Sequence, residues 1–254
     1  MKLIVISETN LASKNIGNYL INLPNLRDVE FEKTKRGVLE LDYIGDKKPI
    51  PKLVIVPSTH KSASGKAMIS AHAPGNWASA DLGGKSETLS IAPALYITNF
   101  LRLTKEEIDS KKINYEVGLE VTHHGPTIDL PIMFAEIGSS EKQWSDLSVC
   151  EIVATTILEL LKKEPEKEDI CVGFGGPHYA PVWTKKILSG KFAIGHICPS
   201  YHSDTLNEKM VLQAIEKTWP KPDFVALEWK GLKAEQREKI IDILEKHKIN
   251  WEKI

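Results

Sequence analysis

The sequence has little cysteine, no long apolar run and no excess of charge of either sign. Its three cysteines, Cys150, Cys171 and Cys198, lie far apart and form no Cys-x-x-Cys pair. An odd, sparse count excludes a disulfide scaffold and points to free thiols in a reducing compartment. No stretch approaches the ~18 apolar residues that a membrane span requires. The apolar start from Met1 to Ile6 is too short for a signal-peptide core and is followed by Glu8. A cytoplasmic protein with no membrane partner is therefore expected. With 16 glycines and 14 prolines, the chain is neither collagen-like nor of low complexity. There are 33 Lys+Arg against 34 Asp+Glu, a formal net charge of −1. That balance excludes a coat protein held on nucleic acid, DNA included, by a uniform basic field, yet it leaves room for a local basic patch. A hydrophobic share of 42% against 26% charged excludes intrinsic disorder.

What is present is an alternation of short apolar runs and amphipathic stretches. Leu3–Ile6, Leu53–Val56, Tyr115–Val121, Ile132–Ile137, Ile170–Phe174, Phe192–Ile197 and Phe224–Leu227 read as strands. Asn10 caps a helix expected to reach Leu23 and to stop at Pro24. Leu89–Leu103 reads as an apolar helix, and Thr104-Lys105-Glu106-Glu107 as the capping box of a separate short one. Ser140-x-x-Gln143 fits a second capping box. Behind it Val149, Ile152, Val153, Thr156, Ile157, Leu160 and Leu161 recur at helical spacing, and Pro165 marks the end. Helices over Val182–Leu188, Leu206–Thr218 and Ala234–His247 complete the pattern. Val29-Glu30-Phe31-Glu32 and Val38-Leu39-Glu40-Leu41 alternate with period two and suggest a hairpin turning at Lys35-Arg36-Gly37. Together these features predict one α/β domain over 1–254, with a mostly parallel central sheet flanked by helices. Two elaborations are expected: the hairpin at about 29–44 and long loops at about 57–88.

In open parallel sheets, ligands bind beyond the carboxyl ends of the strands. Seven of the eight histidines fall between 60 and 202, nearly all near such ends, and only His247 lies on a predicted helix. His60 follows Leu53–Val56, His123 and His124 follow Tyr115–Val121, and His178 follows Ile170–Phe174 in Gly175-Gly176-Pro177-His178. In an extended segment His123 and His124 point to opposite sides, so both enter one site only if the loop is irregular. Glu136 stands in an apolar strand beside Met133, Phe134 and Ile137, where an unpaired carboxylate is costly. His196, between Gly195 and Ile197, reads equally well as a core histidine. Histidines and a carboxylate at converging loops fit a Zn²⁺ site. They also fit metal-free acid–base hydrolysis, and spacing does not choose between the two. There is no G-x-G-x-x-G, no P-loop, no G-x-S-x-G and no H-E-x-x-H.

Six segments taken in order carry a resemblance. They are His60-Lys61-Ser62-x-Ser64-Gly65, His72-x-Pro74-Gly75-Asn76-Trp77, Thr122-His123-His124-Gly125-Pro126-Thr127, Glu136-Ile137-Gly138-Ser139 with Glu141 and Gln143-Trp144, Gly173-Phe174-Gly175-Gly176-x-His178-Tyr179-Ala180-Pro181, and Gly195-His196-Ile197. Over about the middle two thirds of the chain this pattern resembles the archaeal and plant type of D-aminoacyl-tRNA deacylase. The resemblance implies a zinc-dependent hydrolase of the ester between a D-amino acid and tRNA. It also implies a core similar to the peptidyl-tRNA hydrolase and nucleoside phosphorylase type.

On that reading His60, His123, His124, His178 and Glu136 surround the ester, and His123, His124, His178 and Glu136 are candidate zinc ligands. The amides of Gly125, Gly175 and Gly176 are candidate donors to the oxyanion. His72, Asn76, Trp77, Tyr179 and Lys61 are candidate substrate contacts, with Trp77 offering a surface on which a terminal base stacks. Two alternatives remain: a hydrolase or phosphorylase of small nucleoside-like metabolites, and a non-catalytic tRNA-binding module. A monomer or a small homo-oligomer is expected. Charge is unevenly spread. Residues 1–70 carry 11 basic against 7 acidic groups, whereas residues 136–170 carry 4 against 9. Lys33, Lys35, Arg36, Lys47, Lys48, Lys52, Lys61 and Lys66, with Lys185, Lys186 and Lys191, are the candidate tRNA-facing cations.

Overall fold

The computed structural model describes residues 1–22 and 26–254. The first half runs β1 (Lys2–Ser7), α1 (Leu11–Asn22), β2 (Val29–Thr34), β3 (Leu53–Lys61), β4 (Met68–His72), the two-residue strands β5 (Gly75–Asn76), β6 (Thr88–Leu89) and β7 (Ala92–Pro93), then α2 (Ala94–Lys111) and β8 (Glu116–Leu119). The second half runs β9 (Ile132–Ser139), α3 (Glu141–Trp144), α4 (Leu147–Lys162), β10 (Ile170–Phe174), α5 (Pro181–Leu188), β11 (Ala193–Cys198), α6 (Glu208–Glu216), β12 (Thr218–Trp219), β13 (Phe224–Leu227), α7 (Ala234–Lys246) and β14 (Trp251–Lys253). Among the described residues, no helix is long and apolar enough to cross a membrane.

The expected mostly parallel sheet flanked by helices is present, divided into two main ladders. The larger has the order β2-β1-β3-β9-β4-β8, and the smaller β11-β10-β13-β14. Every pair in these ladders is parallel except β4 with β9. The two ladders meet where the chain leaving β8 touches β11: the Thr122 amide donates to the Ile197 carbonyl at 3.0 Å.

Period two decides which residues meet the helices. In β1, Ile4 and Ile6 join the core built with Ile16 and Leu20 of α1, Phe100 and Leu101 of α2, and Val153 and Ile157 of α4. Leu3 and Val5 point the other way, into a smaller core with Val54, Val56, Ile132 and Phe134, closed by Leu41, Ile44, Ile128 and Leu130. Each fully buried aliphatic side chain contributes roughly 1.5–3 kcal/mol. One sheet face is thus sealed by helices and the other by connecting segments. The second arrangement leaves room for a site.

The cap at Asn10 is formed: its Oδ1 accepts the Ser13 amide at 3.0 Å. The expected end of that helix at Leu23 and Pro24 lies outside the described residues. Asp146 caps α4 through the Ser148 and Val149 amides, and the Ser140 capping box is present.

Four local expectations are corrected. The Val29–Ile44 segment is not a hairpin: β2 pairs parallel with β1, and Val38–Leu41 is not a strand. The edge of β1 takes β2, and Leu41 with Ile44 instead cover the exposed apolar face of the sheet. Thr104 does not begin a helix. It is buried within α2, with no partner for its Oγ1 among the described residues, because Leu101 and Ile108 continue the core-facing stripe past it. That helix begins at Ala94 rather than Leu89, behind Pro93 as its cap, since proline has no amide to donate within a helix. The 57–88 segment is also more ordered than a loop. It holds the end of β3, all of β4, and the short β5.

Candidate active site

The site is written into the alternation of four adjacent strands. On β3, Val54, Val56, Ser58 and His60 share a face. The register Ser58↔Glu136 and Val54↔Ile132 puts Ile132, Phe134 and Glu136 of β9 on that same face. β4 continues it, with Ser70↔Glu136 and His72↔Phe134. Beyond β8, the Glu120 amide donates to the Ala71 carbonyl at 3.2 Å, which places Glu120 beside His72. A row of apolar side chains toward one end of the sheet therefore becomes a row of titratable ones on the face that, among the described residues, carries no α-helix. The chain after β10 lowers His178 and Tyr179 onto it. Sequence reasoning had placed the chemistry beyond the strand ends; much of it lies on the sheet face itself.

Glu120 is the hub, and it is fully buried. Its Oε2 accepts from His178 Nε2 at 2.8 Å and from His60 Nδ1 at 3.0 Å, and lies 3.7 Å from His123 Nε2. Its Oε1 accepts from the Ser70 hydroxyl. Burial opposes its charge, but the bonds from His178 and His60 outweigh burial and hold its carboxyl well below the usual range. Glu136 lies 3.6 Å from His60 Nδ1 and 3.8 Å from His72 Nε2. Burial, helped by the nearby Glu120 charge, pushes it up to about 7. For His60 burial again opposes the charged form, but hydrogen bonds to Glu120 and Glu136 prevail and raise it to about 11. His60 is thus an imidazolium held between two carboxyls, and its Nε2 meets the Tyr179 hydroxyl at 2.9 Å. Trp144 fixes this end of β3 by donating Nε1 to the His60 carbonyl at 3.1 Å.

A second group is electrically different. The rings of His72 and His123 have centroids 4.2 Å apart, and those of His72 and His124 are 4.8 Å apart. His124 has φ +47, so the loop is irregular and both neighbours turn inward. Each of the three presents Nδ1 to a backbone carbonyl: Ala73 at 3.2 Å, Val121 at 2.8 Å and Gly125 at 2.6 Å. A carbonyl only accepts, so Nδ1 carries the proton and Nε2 keeps its lone pair. Burial first, then the other imidazoles, lowers His72 well below 6.5 and His124 to about 3. Burial lowers His123 to about 4, against the pull of Glu120. His72 Nε2 is buried and, among the described residues, has no hydrogen-bond partner.

Among the described residues there are two sets of three side chains whose ligand atoms lie within 4.8 Å of one another: His72, His123 and His124, and His60, Glu120 and His178. Beside the first set is a small cleft of about 140 Å³ lined by Gly75, Asn76, Trp77, Leu82 and Thr122. A larger groove of about 450 Å³ around Arg102 and Glu168 contains none of these groups.

The sequence matches the D-aminoacyl-tRNA deacylase family over residues 47–252. The chain belongs to that family. It is similar to the D-aminoacyl-tRNA deacylase of Methanosarcina mazei, with 34% identity over 96% of this chain and 89% of that protein. The enzymes of Thermococcus kodakarensis (34%, 94% of each) and Methanococcus maripaludis strain C5 (33%, 99% of each) are comparably similar. The crystal structure of a conserved protein of unknown function, AF0625, superposes with a TM-score of 0.93 at 27% identity, over 100% of this chain and 95% of that one. Membership of the deacylase family makes the chain a hydrolase, as its motifs implied.

Within this deacylase scaffold the expected residues sort themselves. His60, His123, His124, His178, Glu136, His72 and Tyr179 converge. The four nominated metal ligands do not form one set: His123 and His124 join His72, His178 joins His60 and Glu120, and Glu136 lies between. Glu120 was overlooked, although the burial cost that singled out Glu136 applies equally to a carboxylate after Val117-Gly118-Leu119. The Gly175 amide is already bonded to the Cys198 carbonyl at 2.8 Å and the Gly125 amide to the Leu82 carbonyl at 2.9 Å, so neither is free for an oxyanion. Gly176 keeps the room its neighbours need, since a Cβ there would stand 2.3 Å from Glu228 Oε2. Asn76 braces its own loop through the Gly83 and Lys85 carbonyls. Trp77 is 4% exposed, with Nε1 on the Thr122 carbonyl and its ring against Phe174 and His196, so its face is not open for stacking. His196 is a satisfied core histidine between Thr122 Oγ1 and the Ser90 carbonyl, 2.9 Å from each. Lys61 is exposed at the end of β3, on the opposite side from His60.

Proposed function

We propose that this chain hydrolyses the ester joining a D-amino acid to the 3′-terminal ribose of tRNA, freeing the tRNA for reuse. The observation that carries the reading is the Glu120–His178 pair set beside the His60–Tyr179 pair on one sheet face. His178 donates Nε2–H to Glu120, which leaves Nδ1 to take a proton from the attacking water. Buried Glu120 stabilises the resulting imidazolium, the role a carboxylate plays behind a catalytic histidine. On the other side His60, positively charged, polarises the Tyr179 hydroxyl. Bonds from Ser62 and His60 lower that phenol's pKa against the effect of burial. Tyr179 is then placed to protonate the departing ribose oxygen. The cleft at Gly75–Trp77 receives the aminoacyl end.

His72, His123 and His124 suit zinc. Three neutral imidazoles, one with a buried Nε2 that has no partner among the described residues, form a donor set of lone pairs, and their Nδ1–H bonds to carbonyls are the outer contacts that orient such ligands. Zinc held there supplies Lewis-acid stabilisation for negative charge developing on a carbonyl oxygen. The lysines of the N-terminal part and of α5 serve the acceptor stem through salt-sensitive phosphate contacts.

The test is an assay of purified protein on D- and L-aminoacyl-tRNA, with and without a chelator. Faster release from the D-substrate is expected. Equal, negligible turnover of both would sink the reading. Undiminished turnover in chelator, with no metal found by elemental analysis, would remove zinc alone.

A further inference from the structure

Trp77 is buried, which leaves the terminal base without the stacking surface expected for it. A different aromatic residue stands in the open beside the acid–base pair. Tyr201 follows β11 in the segment Ser200–His202, a single turn of 3₁₀ helix, and is 54% exposed. Its hydroxyl is 3.4 Å from His178 Nδ1, so the ring marks the rim of the site. The His202 ring lies beside it, tilted by 54° with centroids 4.9 Å apart. An exposed aromatic ring at the rim of a site is a surface on which an unpaired base stacks.

Tyr201 also lines a cleft of about 320 Å³ with Ser200, Lys230, Gly231, Lys233 and Gln236. Its rim is basic. Among the described residues Lys230 makes no ion pair, and Lys233 makes only a loose exposed one to Asp204 at 3.5 Å. Asp204, the acid on this cleft, is already engaged by Gln236 at 2.8 Å. Past Lys230, Trp229 is flanked by the Arg237 guanidinium at 4.5 Å and the Lys253 ammonium at 4.4 Å from its ring, which extends the positive rim. A stacking face next to the reacting groups, followed by the two lysines of the same cleft, suits a flexible phosphodiester strand with unpaired bases.

We infer that this cleft holds the single-stranded 3′ end of the RNA substrate, with Tyr201 stacking a base and Lys230 and Lys233 meeting the phosphates behind it. The inference rests on the deacylase reading of the same site.

Two measurements keep the two readings apart. The first uses binding alone: fluorescence anisotropy of an uncharged RNA hairpin with a four-nucleotide 3′ overhang, against the same hairpin made blunt. The overhang should bind wild-type protein at least tenfold more tightly. Tyr201→Leu should lose about tenfold for the overhang, Tyr201→Phe should stay within twofold of wild type, and neither should change blunt binding. Lys230→Ala/Lys233→Ala should lower the slope of log affinity against log salt by about 1.4, from roughly 0.7 for each of two single-strand phosphate contacts. The second is kinetic: with D-aminoacyl-tRNA, Tyr201→Leu should raise KM about tenfold, a larger change than in kcat. Because Tyr201 is exposed, these variants should keep the wild-type melting temperature. Equal binding of blunt and overhanging RNA, or unchanged affinity in Tyr201→Leu, would overturn the inference even if the deacylase assay succeeds. Overhang binding that depends on Tyr201 would support it even if that assay fails.

Discussion

Glu120 carries more of the site than any other side chain, because one carboxylate oxygen is shared by two imidazoles and approached by a third. Glu120→Gln keeps the shape, removes the charge, and leaves the His60 cation without its closer partner. On the proposed mechanism kcat should fall about 10²- to 10⁴-fold, the range for losing acid–base assistance, with KM much less affected. Single-turnover kinetics on D-aminoacyl-tRNA, with circular dichroism to verify folding, would test this; a kcat within threefold of wild type would dismiss Glu120 from the mechanism. His196 illustrates the opposite kind of residue, buried and away from the reacting groups. Burial lowers it to about 4 in the fold, against 6.5 when unfolded. Between those values the unfolded chain takes up a proton that the native chain refuses, so its contribution is complete above about pH 6.5 and is lost as pH falls toward 4. His196→Gln can keep a donor for the Ser90 carbonyl and an acceptor for Thr122. Urea unfolding of this variant should show a shallower decline from pH 7 to 5 than wild type. Parallel curves would mean that other groups set the acid sensitivity.

The strands show what a sequence discloses about its own folding. β10 and β13 fall where continuous apolar runs predict them, since strands buried on both faces have little else in them. β4 does not look like a strand. Met68-Ile69-Ser70-Ala71-His72 alternates, but its polar side belongs to the site, so a functional face resembles a loop until neighbouring registers are known. The same blindness explains the lost hairpin: two alternating segments were legible, but not that β2 would take the free edge of β1. At the turn after His124 the constraint is one of space. A Cβ on Gly125 would lie 2.4 Å from the Gly84 amide nitrogen and 2.5 Å from the Gly83 carbonyl carbon, and backbone cannot rotate away as a side chain can. Gly125→Ala should therefore cost on the order of 1–3 kcal/mol by overpacking. It should also weaken activity by shifting His123 and His124. Denaturant unfolding that leaves the midpoint unmoved would show that the loop yields freely.

The whole molecule brings together residues that lie far apart in sequence. The larger sheet supplies His60, His72, Glu120 and Glu136 on the face opposite its α-helices, while the smaller sheet delivers His178 and Tyr201 from the chain beyond β10 and β11. Clustering of histidines between 60 and 202 was visible in the sequence, and so was the family pattern. Their division into a charged set around Glu120 and a neutral set at His72 was not, because it depends on which imidazoles find carboxylates and which find carbonyls. That division predicts where a metal goes. Zinc prefers neutral imidazole lone pairs, and a bound ion stabilises the native state in proportion to the logarithm of its free concentration over Kd. With free zinc at 100 times Kd the gain is about 2.7 kcal/mol, which for a chain of this size corresponds to about 5–10 °C in Tm. Zinc-loaded protein should melt higher than chelated protein by that margin, and elemental analysis should find the metal. His124→Ala should abolish both, whereas Tyr179→Phe, outside the neutral set, should leave both intact. If His124→Ala retains zinc and its Tm shift, the metal belongs to the Glu120 set instead, and Glu120→Gln should then release it.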